Sequence, residues 1–322
     1  MELAPLTTLR LGGPASEFVE ARTEDEVVEG ARGASLILAG GSNVVIADDG
    51  VPGTVLRIVT RGVEREGTRL TVAAGEDWDA LVAMCVEAGL QGFECLSGIP
   101  GSVGATPIQN VGAYGQEVAE VVESVRVYDR ETDRVHDMSA ADCGFVYRGS
   151  VFKYHDRRVV LSVTFQMNES PTSGPLRYAE LARKLDVPIG GSAPLADVRE
   201  AVLALRRGKG MVIDPADPDS VSAGSFFTNP ILDTPPDGAP AWPEPDGRAK
   251  VSAAWLIEQS GFHKGYGNGR VGISTKHTLA LINRGGATTA ELMTLAREIA
   301  GGVEDRFGVA LHPEPVLVGH DW

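Results

Sequence analysis

The chain has 322 residues, 43% hydrophobic and 23% charged, a composition usual for soluble globular proteins and a length that predicts two or three domains. Its formal charge of −15 and pI near 4.9 argue against non-specific binding to nucleic acid or a membrane surface. No stretch approaches the roughly 18 apolar residues of a membrane span, MELAPLTTLRLGG lacks the basic start and apolar core of a signal peptide, and Cys85, Cys95 and Cys143 have no metal or disulfide spacing, so a reduced cytoplasm is expected.

Residues 1–55 read as a small α/β unit. Thr23 and Glu26 form the T-x-x-E capping box of a helix through Val27, Val28 and Ala31. An apolar strand over 35–39 runs into Gly40-Gly41-Ser42-Asn43, followed by a strand over 44–47 and an Asp49-Gly50 turn. These glycines are adjacent and precede a strand, which disfavours a dinucleotide fingerprint of the G-x-G-x-x-G kind. From Arg69 the pattern changes to short strands over 70–74, 122–129, 135–138 and 159–167. One helix interrupts them, capped by Asp77, striped by Leu81, Met84, Cys85 and Ala88, and ended by Gly89.

Residues 98–118, GIPGSVGATPIQNVGAYGQEV, follow at once. Gly98, Gly101, Gly104, Gly112 and Gly115 punctuate the stretch, Pro100 and Pro107 stiffen it, and Ile99, Val103, Ile108, Val111 and Tyr114 anchor it. Glycine lets a backbone take positive φ or lie against another surface, and the amides so freed cradle phosphate. The stretch reads as ordered backbone around a large anion; the alternative is a Gly-rich crossover in an ordinary sheet protein.

Further on, residues 145–153 set Arg148 and Ser150 among aromatics, 186–192 look like a connector, and 195–207 like a helix. SAGSFFTNP (222–230) suggests a tightly packed loop, and the Pro- and Gly-rich 230–247 an exposed excursion. Ser252 caps a helix through Trp255 and Glu258 that stops near Gly261. Thr288 and Glu291 box a helix carrying Leu292, Leu295, Ala296, Ile299, Val303 and Phe307 on one face, Gly308 terminates it, and 309–318 form a strand-like tail. In this acidic chain Arg248, Lys250, Lys264, Arg270 and Lys276 collect with only Glu258 against them, and Arg206, Arg207 and Lys209 form a second cluster. Such concentrations suggest an anionic ligand, although a solvated face accounts for any single lysine.

Taken together, LAGGSN (38–43), GIPGSVGATPIQNVGAYGQE, YRGSVFK (147–153), SAGSFFTNP, AAWLIEQSGFHKG (253–265) and LHPEPVLVG (311–319) resemble, in order and over nearly the whole chain, the UDP-N-acetylenolpyruvoylglucosamine reductase (MurB) family. The resemblance implies an α+β protein: a two-subdomain FAD-binding fold of the vanillyl-alcohol-oxidase type plus a C-terminal α+β substrate-binding domain. On that reading the FAD subdomains span 1–55 and 56–205, the UDP-sugar domain 206–312, and a tail 313–322 carries Glu314. FAD contacts are implied for Gly40, Gly41, Ser42, Asn43 and Val44, for Gly98, Ile99, Pro100, Gly101, Gly104 and Ala105, and for Gln109, Asn110, Gly112, Ala113 and Tyr114.

The activity so implied reduces an enolpyruvyl ether of a UDP-sugar to a lactyl ether with NADPH, by way of FAD, in peptidoglycan precursor synthesis. Hydride addition drives charge onto a carboxylate that is already anionic, so the site needs a cation or acid there and a proton donor at the alpha carbon. In isolation Arg148 reads as a structural ion pair, Ser225 as a small residue in a crowded turn and Glu314 as an edge-strand acid. The resemblance makes Arg148 the carboxylate's partner, Ser225 the proton donor, and Glu314 either a protonated acid or the group that fixes Arg148. Tyr178 in LRYAEL resembles the substrate-covering tyrosine of the family's longer type. Lys209 and Asn229 are expected at the diphosphate, with Lys264, Lys276 and His277 as phosphate candidates on local charge; a lone histidine such as His277 is more often structural. Pro315 departs from the Glu-Val or Glu-Ile that follows the acid in much of the family. Partners are expected to be the UDP-sugar and NADPH alone, with a monomer or weak oligomer. A flavin oxidase with another substrate, and a nucleotide-sugar binder without turnover, remain as other readings; rapid oxygen consumption, or binding without flavin reoxidation, would favour them.

Overall fold

In the computed structural model, which describes residues 1–322, the capping residues of the sequence open the helices. Thr23 accepts from the Glu26 amide and Glu26 reciprocates at the N-terminus of α1 (Glu24–Ala31). Asp77 accepts from the Ala80 amide to start α2 (Trp78–Glu87). Two further helices, α3 (Ala179–Lys184) and α4 (Leu195–Gly208), precede α5 (Ala253–Gln259), capped by Ser252, and α6 (Thr289–Phe307), which has the second capping box and ends at Gly308 with φ 66°.

Two compact units result. The first comprises Met1, Ala15–Gly41 and Pro52–Gly208; the second comprises Glu2–Pro14, Ser42–Val51 and Lys209–Trp322. In the first, Ala34–Leu38 runs parallel to Val51–Ile58, with Ala15–Ala21 on the other side of that middle strand. An antiparallel sheet orders Arg134–Ser139, Val122–Asp129, Arg158–Gln166, Arg69–Ala73 and Val63–Glu66 side by side. Alternating apolar residues on its strands, among them Val125, Val127, Val163, Phe165, Leu70 and Val72, are buried. Phe93 stands edge-on to Trp78 and to Phe165 at 4.8 and 4.9 Å between ring centroids. That cluster seats α2, and α2 in turn fixes the glycine stretch that follows it.

In the second unit Val44–Ile46 pairs in parallel with Val316–Val318. Asp48, just beyond, accepts from the first amides of α6, Thr289 at 2.7 Å and Ala290 at 2.9 Å, an acid placed where the helix dipole favours one. The apolar stripe of α6 buries Leu292, Leu295, Ala296, Ile299 and Val303 with Leu256 and Ile257 of α5 and with Phe226 and Phe227. One expectation needs correction. Residues 222–230 begin as strand Ser222–Ser225, paired with Ala280–Asn283, because the sheet edge supplies partners that a loop lacks. The excursion over 230–247 has no buried residue, as expected, and contains strands Ile231–Leu232 and Ala241–Pro243 flanking Ala249–Val251; Pro243 sits on an edge strand, where no ladder donor is lost. Of the tail, only Val316–Val318 is strand.

Candidate active site

The glycine stretch is held from α2. Asp79 Oδ1 accepts from the Gly98 amide at 2.6 Å, while both Asp79 oxygens take the guanidinium of Arg199 from α4 at 2.6 and 2.9 Å. Burial pushes the Asp79 carboxyl up, but Arg199 and the Gly98 amide outweigh it and hold the group below its usual range. The Trp78 amide donates to the Gly101 carbonyl, the Val103 amide to Glu76 and the Gly104 amide to Ala74. Gly41, Gly98 and Gly101 have φ of 62°, 72° and 123°, values that side-chain-bearing residues rarely adopt. A Cβ on Gly40 would lie 2.6 Å from the Gly101 Cα, so the two glycine segments approach backbone to backbone. The amides of Gly40, Gly41, Gly101 and Ser102 take no acceptor within the protein. The result is a side-chain-free surface carrying unspent donors, flanked by half-buried Ile99, Pro100 and Ala105.

Next to it, Asn110, Tyr114 and Arg148 all have left-handed backbones, with φ of 48°, 51° and 54°. Asn110 is buried and its amide is fully engaged. Nδ2 donates to Glu117 Oε2 at 2.8 Å and to the Val146 carbonyl at 3.2 Å, and Oδ1 accepts from the Ala119 amide. It therefore ties the glycine stretch to the Arg148 turn. Ser150 Oγ adds a second tie by donating to the Ile108 carbonyl at 2.7 Å. Arg148 Nη2 donates to the Gly112 carbonyl at 2.7 Å and its guanidinium lies over the Tyr147 ring. Gln109 and Ala113 are half-buried in the same stretch. Tyr114 meets Tyr178 edge-on at 5.3 Å between centroids, with Tyr178 exposed at the start of α3.

In the second unit the segments carrying Ser225, Glu314 and Asn43 run side by side. Ser225 ends its strand opposite Ala280, after an irregularity at Gly224, whose φ is 75°. The Glu314 amide donates to the Phe226 carbonyl at 2.8 Å, and Phe227 bridges antiparallel to Pro313, so HPEP runs alongside SFF. Asn43 Nδ2 donates to the Glu314 carbonyl at 3.4 Å and the Val316 amide returns to the Asn43 carbonyl at 3.0 Å. Ser42 lies beside Asn43 and accepts from Thr8, while Val44 is buried in the parallel pair. Asn229 Oδ1 accepts from the Ala253 amide at the start of α5. Lys209 is half-buried and Lys264 exposed. Lys276 pairs with Asp217 at 2.8 Å, which raises its pKa. The amides of Lys276 and His277 both donate to Ser274 Oγ, fixing that turn.

Family models match two stretches: an FAD binding domain over residues 15–139, and the C-terminal domain of UDP-N-acetylenolpyruvoylglucosamine reductase over 215–318. The reductase of that name from Thermobifida fusca is 55% identical, the alignment covering 98% of this chain and 96% of that protein. Its counterpart from Salinispora arenicola is 57% identical, over 98% and 94%. The chain belongs to the UDP-N-acetylenolpyruvoylglucosamine reductase family. The crystal structure of the MurB reductase from Thermus caldophilus superposes with a TM-score of 0.72 at 26% identity, covering 99% of this chain and 97% of that one.

Family membership makes the protein an FAD-dependent oxidoreductase of peptidoglycan synthesis, with an FAD-binding fold and a MurB-type C-terminal domain. The residues present fit the cofactor: glycines that approach too closely for any Cβ, with unspent amides at 40–41 and 101–102, suit a pyrophosphate. No helix is long and apolar enough to cross a membrane. Sequence reasoning missed Asp79 and Arg199, which pin Gly98, and the part Lys153 plays beneath Arg148. Lys153 at least lies within YRGSVFK (147–153). The Asp79–Arg199 pair joins two helices and leaves no local mark.

Proposed function

We propose that this MurB-family protein reduces UDP-N-acetylglucosamine enolpyruvate to UDP-N-acetylmuramate with NADPH, in the cytoplasm, as a monomer or weak oligomer. The observation that carries the proposal is the register that sets SFF against HPEP: the Glu314 amide donates to the carbonyl of Phe226, the residue next to Ser225, so the candidate acid and the candidate proton donor lie on adjoining strands one residue apart in register. The backbones of Gly40, Gly41, Ser42, Asn43 and Val44, and of residues 98–105, hold the FAD pyrophosphate and ribityl chain, and residues 109–114 approach the flavin. FAD, when bound, supplies a two-electron carrier that accepts hydride from NADPH and delivers it to the terminal vinyl carbon.

Arg148 has a planar fork that holds the substrate carboxylate in one orientation and counters the charge driven onto it. Ser225 Oγ–H gives its proton to the alpha carbon. Hydride at the terminal carbon and a proton at the alpha carbon together make the lactyl ether. Glu314 either donates a hydrogen bond to the developing enolate or fixes Arg148. Tyr178 covers the sugar nucleotide, and Lys209, Asn229, Lys264, Lys276 and His277 receive its diphosphate and nearby polar groups. Lys276 must then exchange Asp217 for phosphate, at little cost because the lysine is partly exposed.

The test is an anaerobic spectral titration. NADPH should bleach the yellow protein and the enolpyruvyl sugar nucleotide should restore the colour. Ser225→Ala should lose only the second step. Because both substrates present atoms to one flavin, double-reciprocal plots should run parallel; intersecting lines would contradict alternate occupancy. Colour that NADPH removes and the sugar nucleotide does not restore would sink the substrate assignment while leaving the flavoprotein intact.

A further inference from the structure

Lys153, a cation of the first unit, has no direct part in that reaction. It is 6% exposed, a degree of burial rare for lysine. Its Nζ donates to the Arg148 carbonyl at 3.1 Å and lies 5.1 Å from the centroid of the Tyr154 ring. The carbonyl it holds belongs to the residue at φ 54°, a left-handed conformation that arginine keeps only when its surroundings impose it. The neighbouring ties engage the residues around it: Val146 and Gly149 exchange main-chain hydrogen bonds across the turn at 3.0 and 3.1 Å, Asn110 holds the Val146 carbonyl, and Ser150 anchors the far side to Ile108. The ammonium–carbonyl bond holds the main chain of Arg148 itself, and a charged donor makes it stronger than an amide or hydroxyl would.

We propose that Lys153 is a positioning residue for Arg148: its ammonium holds the Arg148 carbonyl, and with it the left-handed turn that presents the guanidinium beside Gly112. This rests on the reading that Arg148 polarises the substrate carboxylate. With Lys153 absent, the Val146–Gly149 bonds still close the turn, but the Arg148 carbonyl loses its charged donor, the peptide it belongs to is freer to rotate, the guanidinium leaves its aim, and the step needing a stabilised carboxylate slows. Flavin binding and reduction, which do not need that aim, persist.

The test uses the flavin-loaded full-length enzyme. In Lys153→Met, NADPH should bleach the flavin at the wild-type rate, while reoxidation by the enolpyruvyl sugar nucleotide slows roughly tenfold to a hundredfold, in kcat more than KM. Lys153→Arg, keeping a charged donor of different shape, should fall between. Arg148→Met should slow the same step, and adding Lys153→Met to it should cost nothing further, since the lysine acts through the arginine. Wild-type reoxidation in Lys153→Met, or an equal loss in the Arg148→Met background, overturns the inference. If Lys153→Met does not fold, Lys153→Arg decides: loss confined to reoxidation supports it, and no loss, or equal loss in both steps, overturns it. Wild-type reoxidation in Arg148→Met would instead overturn the reading of Arg148, and the inference with it.

Discussion

At Gly112 a neighbouring guanidinium excludes a side chain: a Cβ there would sit 2.9 Å from Arg148 Nη1 and 2.9 Å from Glu117 Cγ. The glycine's φ lies outside the left-handed region, so alanine is tolerable to the backbone and the penalty is steric. Gly112→Ala should displace Arg148 and slow reoxidation by the sugar nucleotide about tenfold to a hundredfold, with NADPH bleaching intact. Stopped-flow traces of the two half-reactions check this; equal slowing of both would mean a general disturbance. Asp129 illustrates a structural carboxylate with no reactive role. Arg157 beside it, with the Thr132 and Glu131 amides, outweighs burial and holds its pKa down to about 2 from 3.8. A depressed folded-state pKa means the stabilisation is complete above 3.8 and is lost as pH falls through about 2. Denaturant midpoints followed from about pH 5 to about 2 should fall less steeply for Asp129→Asn than for wild type. Parallel curves would show that the pair contributes nothing to acid sensitivity.

The elements most readable in the sequence are those whose ends are chemically marked. Thr23 with Glu26, Asp77, Ser252, and Thr288 with Glu291 all cap helices as their spacing predicts, because a cap is a local transaction between a side chain and amides two or three residues on. The strand 122–129 is likewise where its apolar pattern puts it. Strand Ser222–Ser225 and the small sheet around Ala249–Val251 were not legible, since short strands form only when an edge far away in sequence is offered. Asp48 is such a long-range partner. It caps α6 from the segment after Gly-Gly-Ser-Asn, and the Thr289 hydroxyl also donates to the Ile46 carbonyl at 2.7 Å. Asp48→Ala should lower unfolding free energy by about 1–2 kcal/mol, read from chemical denaturation. No change would mean that Thr288 and Glu291 alone cap α6.

For the molecule as a whole, cofactor and fold are linked by mass action. A flavin that binds only the folded chain adds about 2.7 kcal/mol of stability at a free concentration a hundred times its dissociation constant. The melting temperature of apoprotein should therefore climb with added FAD and not with added riboflavin, if the unspent amides at 40–41 and 101–102 are what the pyrophosphate uses. Equal shifts with both would place the binding energy on the isoalloxazine ring instead.

Motif order across the chain sufficed to identify the family, the cofactor and the mixed α+β class, because glycines needed for backbone approach and residues needed for capping are fixed in type by local physics. Tertiary structure alone decided the company each residue keeps. Residues Ser42–Val51 pack in the unit built mainly from Lys209–Trp322, through parallel pairing of Val44–Ile46 with Val316–Val318. The segment carrying Ser225 runs antiparallel to the one carrying Glu314, with the Glu314 amide on the Phe226 carbonyl, and Arg148 sits on Gly112 with its carbonyl held by Lys153. Pairing partners so distant in sequence leave no periodicity or spacing to read. Their register is set by which buried faces fit once the chain has closed on itself.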